Sequence, residues 1–107
     1  MSDEVLKRLA ATITARRAAT GEASYTRQLL DAGVERCAKK FGEEAIETVI
    51  AATRQGSDEL KAEAADLLYH LLVLLECRQV PLADVLAVLD ARSGTSGLTE
   101  KAQRAAS

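Results

Sequence analysis

The sequence predicts an all-α fold of four to five helices per chain, and two observations carry that reading. Ala and Leu are abundant while aromatics make up 3% of 107 residues, a composition that favours helix over sheet. Apolar residues recur at three- and four-residue steps, and one Pro and six Gly leave few obligatory breaks between them. Apolar residue types account for 48% of the chain, enough for one modest core in one domain.

The elements follow in order. Asp3 to about Ala19 is a first helix, with Val5, Leu6, Leu9 and Ile13 at helical spacing and Asp3 and Glu4 at the positive end of its dipole. TGEAS, residues 20–24, breaks it. SYTRQLLDAG, residues 24–33, is a short helix that Ser24 or Thr26 can cap and Gly33 can end. Val34 to about Gln55 is a long helix with an internal Gly42, which costs roughly 1 kcal/mol against Ala and calls for a reason such as close approach of a backbone or ligand. Gly56 stops it, and Ser57 is placed to cap the next helix, which runs to about Arg78. From Leu67 to Leu75 apolar side chains occupy every side of that helix, so it is expected to be buried all round, with a partner chain helping to cover it. Val80-Pro81 is a break, and a short last helix runs to about Ala91. Residues 1–92 are expected to form the domain, and residues 93–107, polar with two glycines, a mobile C-terminal tail.

Charge and cysteine usage exclude several classes. The formal net charge of −2, from 14 basic and 16 acidic residues, predicts no general attraction to nucleic acid or anionic lipid. Cys37 and Cys77 have no metal-binding spacing and read as two packed, reduced thiols. MSDEVLKRLA lacks the apolar core of a signal peptide, and the longest apolar run, Leu71 to Leu75, is too short to span a bilayer. The expectation is a soluble, cytoplasmic protein.

The carboxylates are the unusual feature. KKFGEEAIETVIAA places Glu43, Glu44 and Glu47 within five residues, and EAADLLYHLLVLL repeats the three-residue step with Glu63 and Asp66. On the first of these helices Lys40, Glu44, Glu47 and Ala51 share one stripe, opposite an apolar stripe of Val34, Ala38, Phe41, Ala45 and Val49. Taken alone, that helix reads as turning Glu44 and Glu47 to water. The second helix argues otherwise. Glu63, Asp66 and His70 share a stripe that continues as Val73, Leu74 and Cys77, so Asp66 and His70 are expected on a buried or half-buried surface. Buried carboxylates need a cation or strong donors.

Two such pairs on adjacent helices can converge into a four-oxygen site in a bundle core. That donor set suits Mg²⁺ or Mn²⁺, does not suit structural zinc, and lacks the Glu-x-x-His pairs of a di-iron bundle. His70 reads first as a packed histidine bonded to a neighbour, with ligand or base as the alternatives. Tyr69 reads as core or interface. Arg36, Lys39 and Lys40 can meet phosphate or lie along the surface, and Lys40 is the best placed because it shares the stripe of Glu44 and Glu47.

At these residues the sequence resembles the phosphoribosyl-ATP pyrophosphohydrolases, a family within the MazG-type all-α nucleoside triphosphate pyrophosphatases. The wider signature is EExxE followed by ExxD, here Glu43, Glu44, Glu47, then Glu63 and Asp66. The Ser24-Tyr25-Thr26 segment, Lys40-x-Gly42-Glu43-Glu44 and Ala65-Asp66-Leu67-Leu68-Tyr69-His70 point to this member, and the resemblance runs from about Ser24 to Arg92. It implies an intertwined homodimeric helix bundle and hydrolysis of 1-(5-phosphoribosyl)-ATP to 1-(5-phosphoribosyl)-AMP and pyrophosphate, the second step of histidine biosynthesis. It further implies that Glu44, Glu47, Glu63 and Asp66 hold Mg²⁺ while Glu43 assists. Lys40 and an arginine, Arg92 or Arg78, would hold phosphate, and Ser24, Tyr25 and Thr26 would lie near base or ribose. A separate phosphoribosyl-AMP cyclohydrolase would act on the product. Two other functions use the same residues: a house-cleaning nucleoside triphosphate pyrophosphatase, and a non-catalytic helical dimer with the acids as surface charge.

Overall fold

The computed structural model describes residues 2–18 and 24–93. Among these the chain is all-α, with helices α1 (Ser2–Ala18), α2 (Tyr25–Ala32), α3 (Val34–Arg54), α4 (Ser57–Cys77) and α5 (Leu82–Arg92). Most of the expected break at residues 20–24, and the polar tail beyond Ser93, lie outside the described residues.

Helix ends follow local chemistry. Ser24 caps α2, its hydroxyl accepting the Arg27 backbone N–H at 3.2 Å. Gly33, at φ 100°, takes the turn that lets α2 stop and α3 start with a single residue between them. Between α3 and α4 the cap sits one residue earlier than the sequence suggests. Gly56, not Ser57, precedes the helix, and the Glu59 carboxylate accepts the Gly56 N–H at 3.1 Å. The end of α4 is a Schellman turn. The Val80 N–H reaches the Leu75 carbonyl and the Gln79 N–H the Glu76 carbonyl, both at 2.9 Å, with Gln79 in the left-handed region at φ 56°.

The Gln55-Gly56 link makes α3 and α4 an antiparallel hairpin. Thr48 lies opposite Glu63 and Glu44 near Asp66 along it. The buried core, Ile13, Leu29, Leu30, Cys37, Leu72 and Val73, sits at the end of the hairpin away from that link, where α1 and α2 pack. Leu82 brings the start of α5 against the same cluster. Cys37 donates its thiol to the Leu29 carbonyl at 3.1 Å. Burial, together with the neighbouring Cys77 thiol, pushes it up to about 11, so it stays an inert thiol, as expected for a packed, reduced cysteine.

The single chain covers α4 only in part. His70, Leu72 and Val73 are buried, but Leu68 is 43% exposed. The apolar stripe expected on α3 is covered only in part: Phe41 and Ala45 are half-buried, but Val49 is 61% exposed, and Ile46 and Ile50 lie beside it in the open. No helix among the described residues is long and apolar enough to cross a membrane.

One ion pair fastens α1 to the end of α4. Arg17 Nε meets Glu76 Oε2 at 2.6 Å, the Thr14 hydroxyl donates to Glu76 Oε1 at 2.6 Å, and Arg17 Nη2 reaches the Glu76 carbonyl at 2.5 Å. Burial pushes the Glu76 carboxyl up, but Thr14 and Arg17 outweigh it and hold it below the usual range. A depressed carboxylate stabilises above its unfolded value and loses that contribution as pH falls through its folded value. Because Arg17 is 39% exposed, the pair is discounted for screening. Glu76→Gln is therefore expected to cost about 1 kcal/mol near pH 7, roughly 4–8 °C in Tm, with the gap closing in acid; melting both proteins across pH 3 to pH 7 (approximate limits) checks it.

Candidate active site

The site lies midway along the hairpin, where α3 and α4 each turn acids toward the other. Glu44 is only 7% exposed, so at this residue, though not at the exposed Glu47, α3 does the opposite of what its stripe suggests when read alone. The buried side of α3 carries Cys37, Glu44 and Ala51, while Ile46, Val49 and Ile50 look outward. Thr48 helps set the spacing: its hydroxyl donates to the Glu44 carbonyl at 2.8 Å and lies 3.2 Å from the Glu63 carbonyl across the hairpin.

Glu44, Glu63 and Asp66 each offer an oxygen, and these oxygens lie within 4.8 Å of one another. Their burial is graded, with Glu44 buried, Glu63 half-buried and Asp66 exposed. The expectation of a buried or half-buried Asp66 thus gives way to an exposed rim position. Glu47 is exposed and outside this trio, yet it is an electrostatic neighbour of Glu63. Glu43, also exposed, contacts Lys40.

The trio is short of positive charge. Glu63 Oε1 is buried with no hydrogen-bond partner. Desolvation first, then Glu47, Asp66 and Glu44, push the Glu63 carboxyl above the usual range. The nearest cation, Lys40 Nζ, is 3.7 Å from Glu44 Oε2 and equally 3.7 Å from Glu43 Oε1. An all-oxygen donor set with a buried orphan oxygen fits a hard divalent cation.

An aromatic group adjoins the acids. Tyr69 packs edge-on to His70 with ring centroids 4.9 Å apart, and Tyr25 lies 6.4 Å from Tyr69 at an interplanar angle of 20°. The Thr26 and Tyr69 hydroxyls share a short hydrogen bond that ties α2 to α4. His70 is buried as a packed residue, and burial, opposed by Glu44, holds its pKa below the usual value. Tyr25 is the strongest electrostatic neighbour of Lys40, which it raises above the ordinary lysine range; Glu44 and Glu43 act in the same sense against desolvation. Sequence reasoning missed both the Thr26–Tyr69 bond and the Tyr25–Lys40 approach. Arg92 ends exposed in the last turn of α5, a helix with no buried residue of its own.

The comparisons with known proteins bear on this arrangement. The phosphoribosyl-ATP pyrophosphohydrolase family model matches residues 6–93, which include every acid described above. The chain belongs to the phosphoribosyl-ATP pyrophosphohydrolase family. A phosphoribosyl-ATP pyrophosphatase of Cereibacter sphaeroides is 57% identical over 100 residues, 94% of this chain and 97% of that protein. Phosphoribosyl-ATP pyrophosphatase 1 of Bradyrhizobium diazoefficiens is 62% identical over 96 residues, 90% and 91% of the two chains. A Rhodobacter capsulatus relative of the same name is 56% identical over 99 residues, 92% and 96%. Membership of the phosphoribosyl-ATP pyrophosphohydrolase family makes this chain an enzyme.

The charge imbalance has a measurable consequence. A carboxyl raised on folding binds protons that the unfolded chain has released, so stability falls as pH rises from the ordinary glutamate range to the raised value. Glu63→Gln is expected to melt higher than the parent near neutral pH without metal, the difference vanishing in acid. Added divalent cation should reverse that order by stabilising the parent, with the variant needing at least roughly tenfold more. Calorimetric melts with and without cation check both.

Proposed function

We propose that the chain hydrolyses 1-(5-phosphoribosyl)-ATP between its α- and β-phosphates, releasing 1-(5-phosphoribosyl)-AMP and pyrophosphate, the second step of histidine biosynthesis. The observation that carries the proposal is the convergence of Glu44, Glu63 and Asp66 around an unpaired buried oxygen in a chain of this family. Mg²⁺ is the preferred occupant, with Mn²⁺ able to substitute; when bound it neutralises triphosphate oxygens and supports the leaving pyrophosphate. Glu44, Glu63 and Asp66 hold it, and Glu47 joins them from the rim.

The remaining groups position the substrate. Lys40 trades its carboxylate contacts for phosphate oxygens. Gly42 keeps that approach open, since a Cβ there would meet nothing within 4 Å in this chain, so no neighbouring backbone demands the glycine. Glu43 or Glu47, the exposed acids, orients the attacking water and accepts its proton. Water oxygen bonds to phosphorus as the bridging P–O bond breaks, and the electron pair leaves with pyrophosphate. Tyr25 faces base or ribose, and Arg92 reaches phosphate from α5. The product passes to a separate phosphoribosyl-AMP cyclohydrolase in the cytoplasm.

Incubation of the chain with phosphoribosyl-ATP and Mg²⁺ is expected to yield phosphoribosyl-AMP and pyrophosphate, while Asp66→Asn lowers kcat/KM by about a hundredfold with helix content unchanged. Equal turnover of plain nucleoside triphosphates would move the chain to the house-cleaning class. No turnover of any of them would leave the non-catalytic dimer.

The second part of the proposal is a homodimer. Ile46, Val49 and Ile50 form an exposed apolar stripe on α3, Leu68 adds to it from α4, and Val88 and Leu89 are open on α5. One chain of 11.4 kDa leaves these uncovered, and a two-fold partner covers both copies at once. Sedimentation is expected to give twice the chain mass, and Val49→Glu to halve it; a wild-type monomer at micromolar concentration would refute the dimer.

A further inference from the structure

The three residues of the Ser24-Tyr25-Thr26 segment have different employments. The Ser24 hydroxyl accepts the Arg27 N–H as the α2 cap, and the Thr26 hydroxyl is engaged with Tyr69. Tyr25, between them, does neither. Its ring is 50% exposed. It lies nearly parallel to Tyr69, at 20°, and stands at 88° to His70 with centroids 6.0 Å apart. Tyr69 and His70 pack against the ring, and half of the residue's surface stays open to solvent. A half-exposed aromatic lodged against two other rings offers a stacking surface rather than core.

Its position gives the platform a use. His70, one turn beyond Asp66 on α4, meets the Tyr25 ring, so the ring stands on the same side of α4 as the carboxylate trio. A nucleotide with its phosphates at Lys40 and the acids has its base within reach of Tyr25. The base of the proposed substrate is also unusual. Substitution at N1 leaves adenine as an amidinium that is cationic at neutral pH, whereas the adenine of ATP is neutral. A tyrosine face attracts a cation over its ring, and the attraction grows as the cation is desolvated. Neutral purines stack there too, without that added attraction.

We propose that Tyr25, buttressed by Tyr69 and His70, selects the substrate by stacking on its cationic N1-substituted adenine, and so discriminates phosphoribosyl-ATP from ATP. This deepens the proposed function and rests on it. The local field agrees: Lys40 is already balanced by Glu43 and Glu44, and Glu47 adds negative charge at the rim. A cationic base is therefore not repelled there.

The probes are N1-methyl-AMP, a cationic base on a simple nucleotide, and AMP, its neutral counterpart. Direct binding of each to the full chain with Mg²⁺ is measured by calorimetry for wild type, Tyr25→Phe and Tyr25→Leu. Wild type is expected to prefer the methylated nucleotide by about tenfold, Tyr25→Phe to keep that preference, and Tyr25→Leu to lose it. The phenylalanine variant keeps the ring and guards against a fold defect being mistaken for the effect. Equal binding of the two nucleotides by wild type, no measurable binding of the methylated one, or an undiminished preference in Tyr25→Leu would each overturn the inference. Phosphoribosyl-ATP turnover is assayed alongside. A wild-type chain that hydrolyses it but shows no preference loses only the Tyr25 inference, and one that does not hydrolyse it loses the proposed function itself.

Discussion

Three carboxylate oxygens held within 4.8 Å of one another across a two-helix hairpin are the constraint on which the rest of this structure depends. Like charges at that distance repel, and one of the oxygens has been taken out of water with no donor in exchange. A fold that keeps such a cluster together must hold the two helices rigidly by other means. Here those means lie on either side of it. Thr48 stitches the hairpin beside the acids, and the apolar core of Ile13, Leu29, Leu30, Cys37, Leu72 and Val73 locks it at the far end. Glu76 and Arg17 then fasten α1 to the same end, clear of the site. Under the proposed function, that same repulsion would make the site receptive to a cation, so that instability and function would be one feature seen with and without its ligand.

The acids were legible in the sequence and their orientation was not. Spacing alone brought Glu44, Glu63 and Asp66 onto facing helices, because a three-residue step is a geometric fact of the α-helix. Which side of α3 faces α4 is decided by tertiary competition, and there the apolar stripe misled. Val49 is 61% exposed while Glu44 is 7% exposed, an inversion no single-helix wheel contains. Helix starts were read well where a side chain does the capping, as at Ser24, and shifted by one residue where Glu59 caps the backbone of Gly56 from inside the helix. His70 was placed in the interior by the company its stripe keeps. Its tyrosine neighbours were not, because Tyr25 belongs to another helix and a contact over that sequence distance leaves no local pattern.

The short α2 has an importance beyond its eight residues. It buries Leu29 and Leu30, which makes it part of the core, and its first turn supplies the aromatic edge of the site. The Thr26–Tyr69 bond joins these two duties. A helix this short is marginal by itself, and its stability comes from packing rather than propensity. The same packing that keeps α2 folded therefore fixes where Tyr25 stands relative to Lys40. Precision at the rim of the site is inherited from the core.

Helix α3 carries the last step of this logic. One side holds Glu44 and Ala51 against α4, and another exposes Ile46, Val49 and Ile50. A chain this small has little apolar surface to spare, and the single chain leaves much of what it has in the open. Covering that stripe with a second copy would bury the outer side of the helix whose inner side bears the acids. The hairpin would then be gripped from outside at the level where it is pushed apart from within. In the proposed dimer, oligomerisation and catalysis would thereby be coupled through one rigid element, with no residue of the apolar stripe needing to touch substrate.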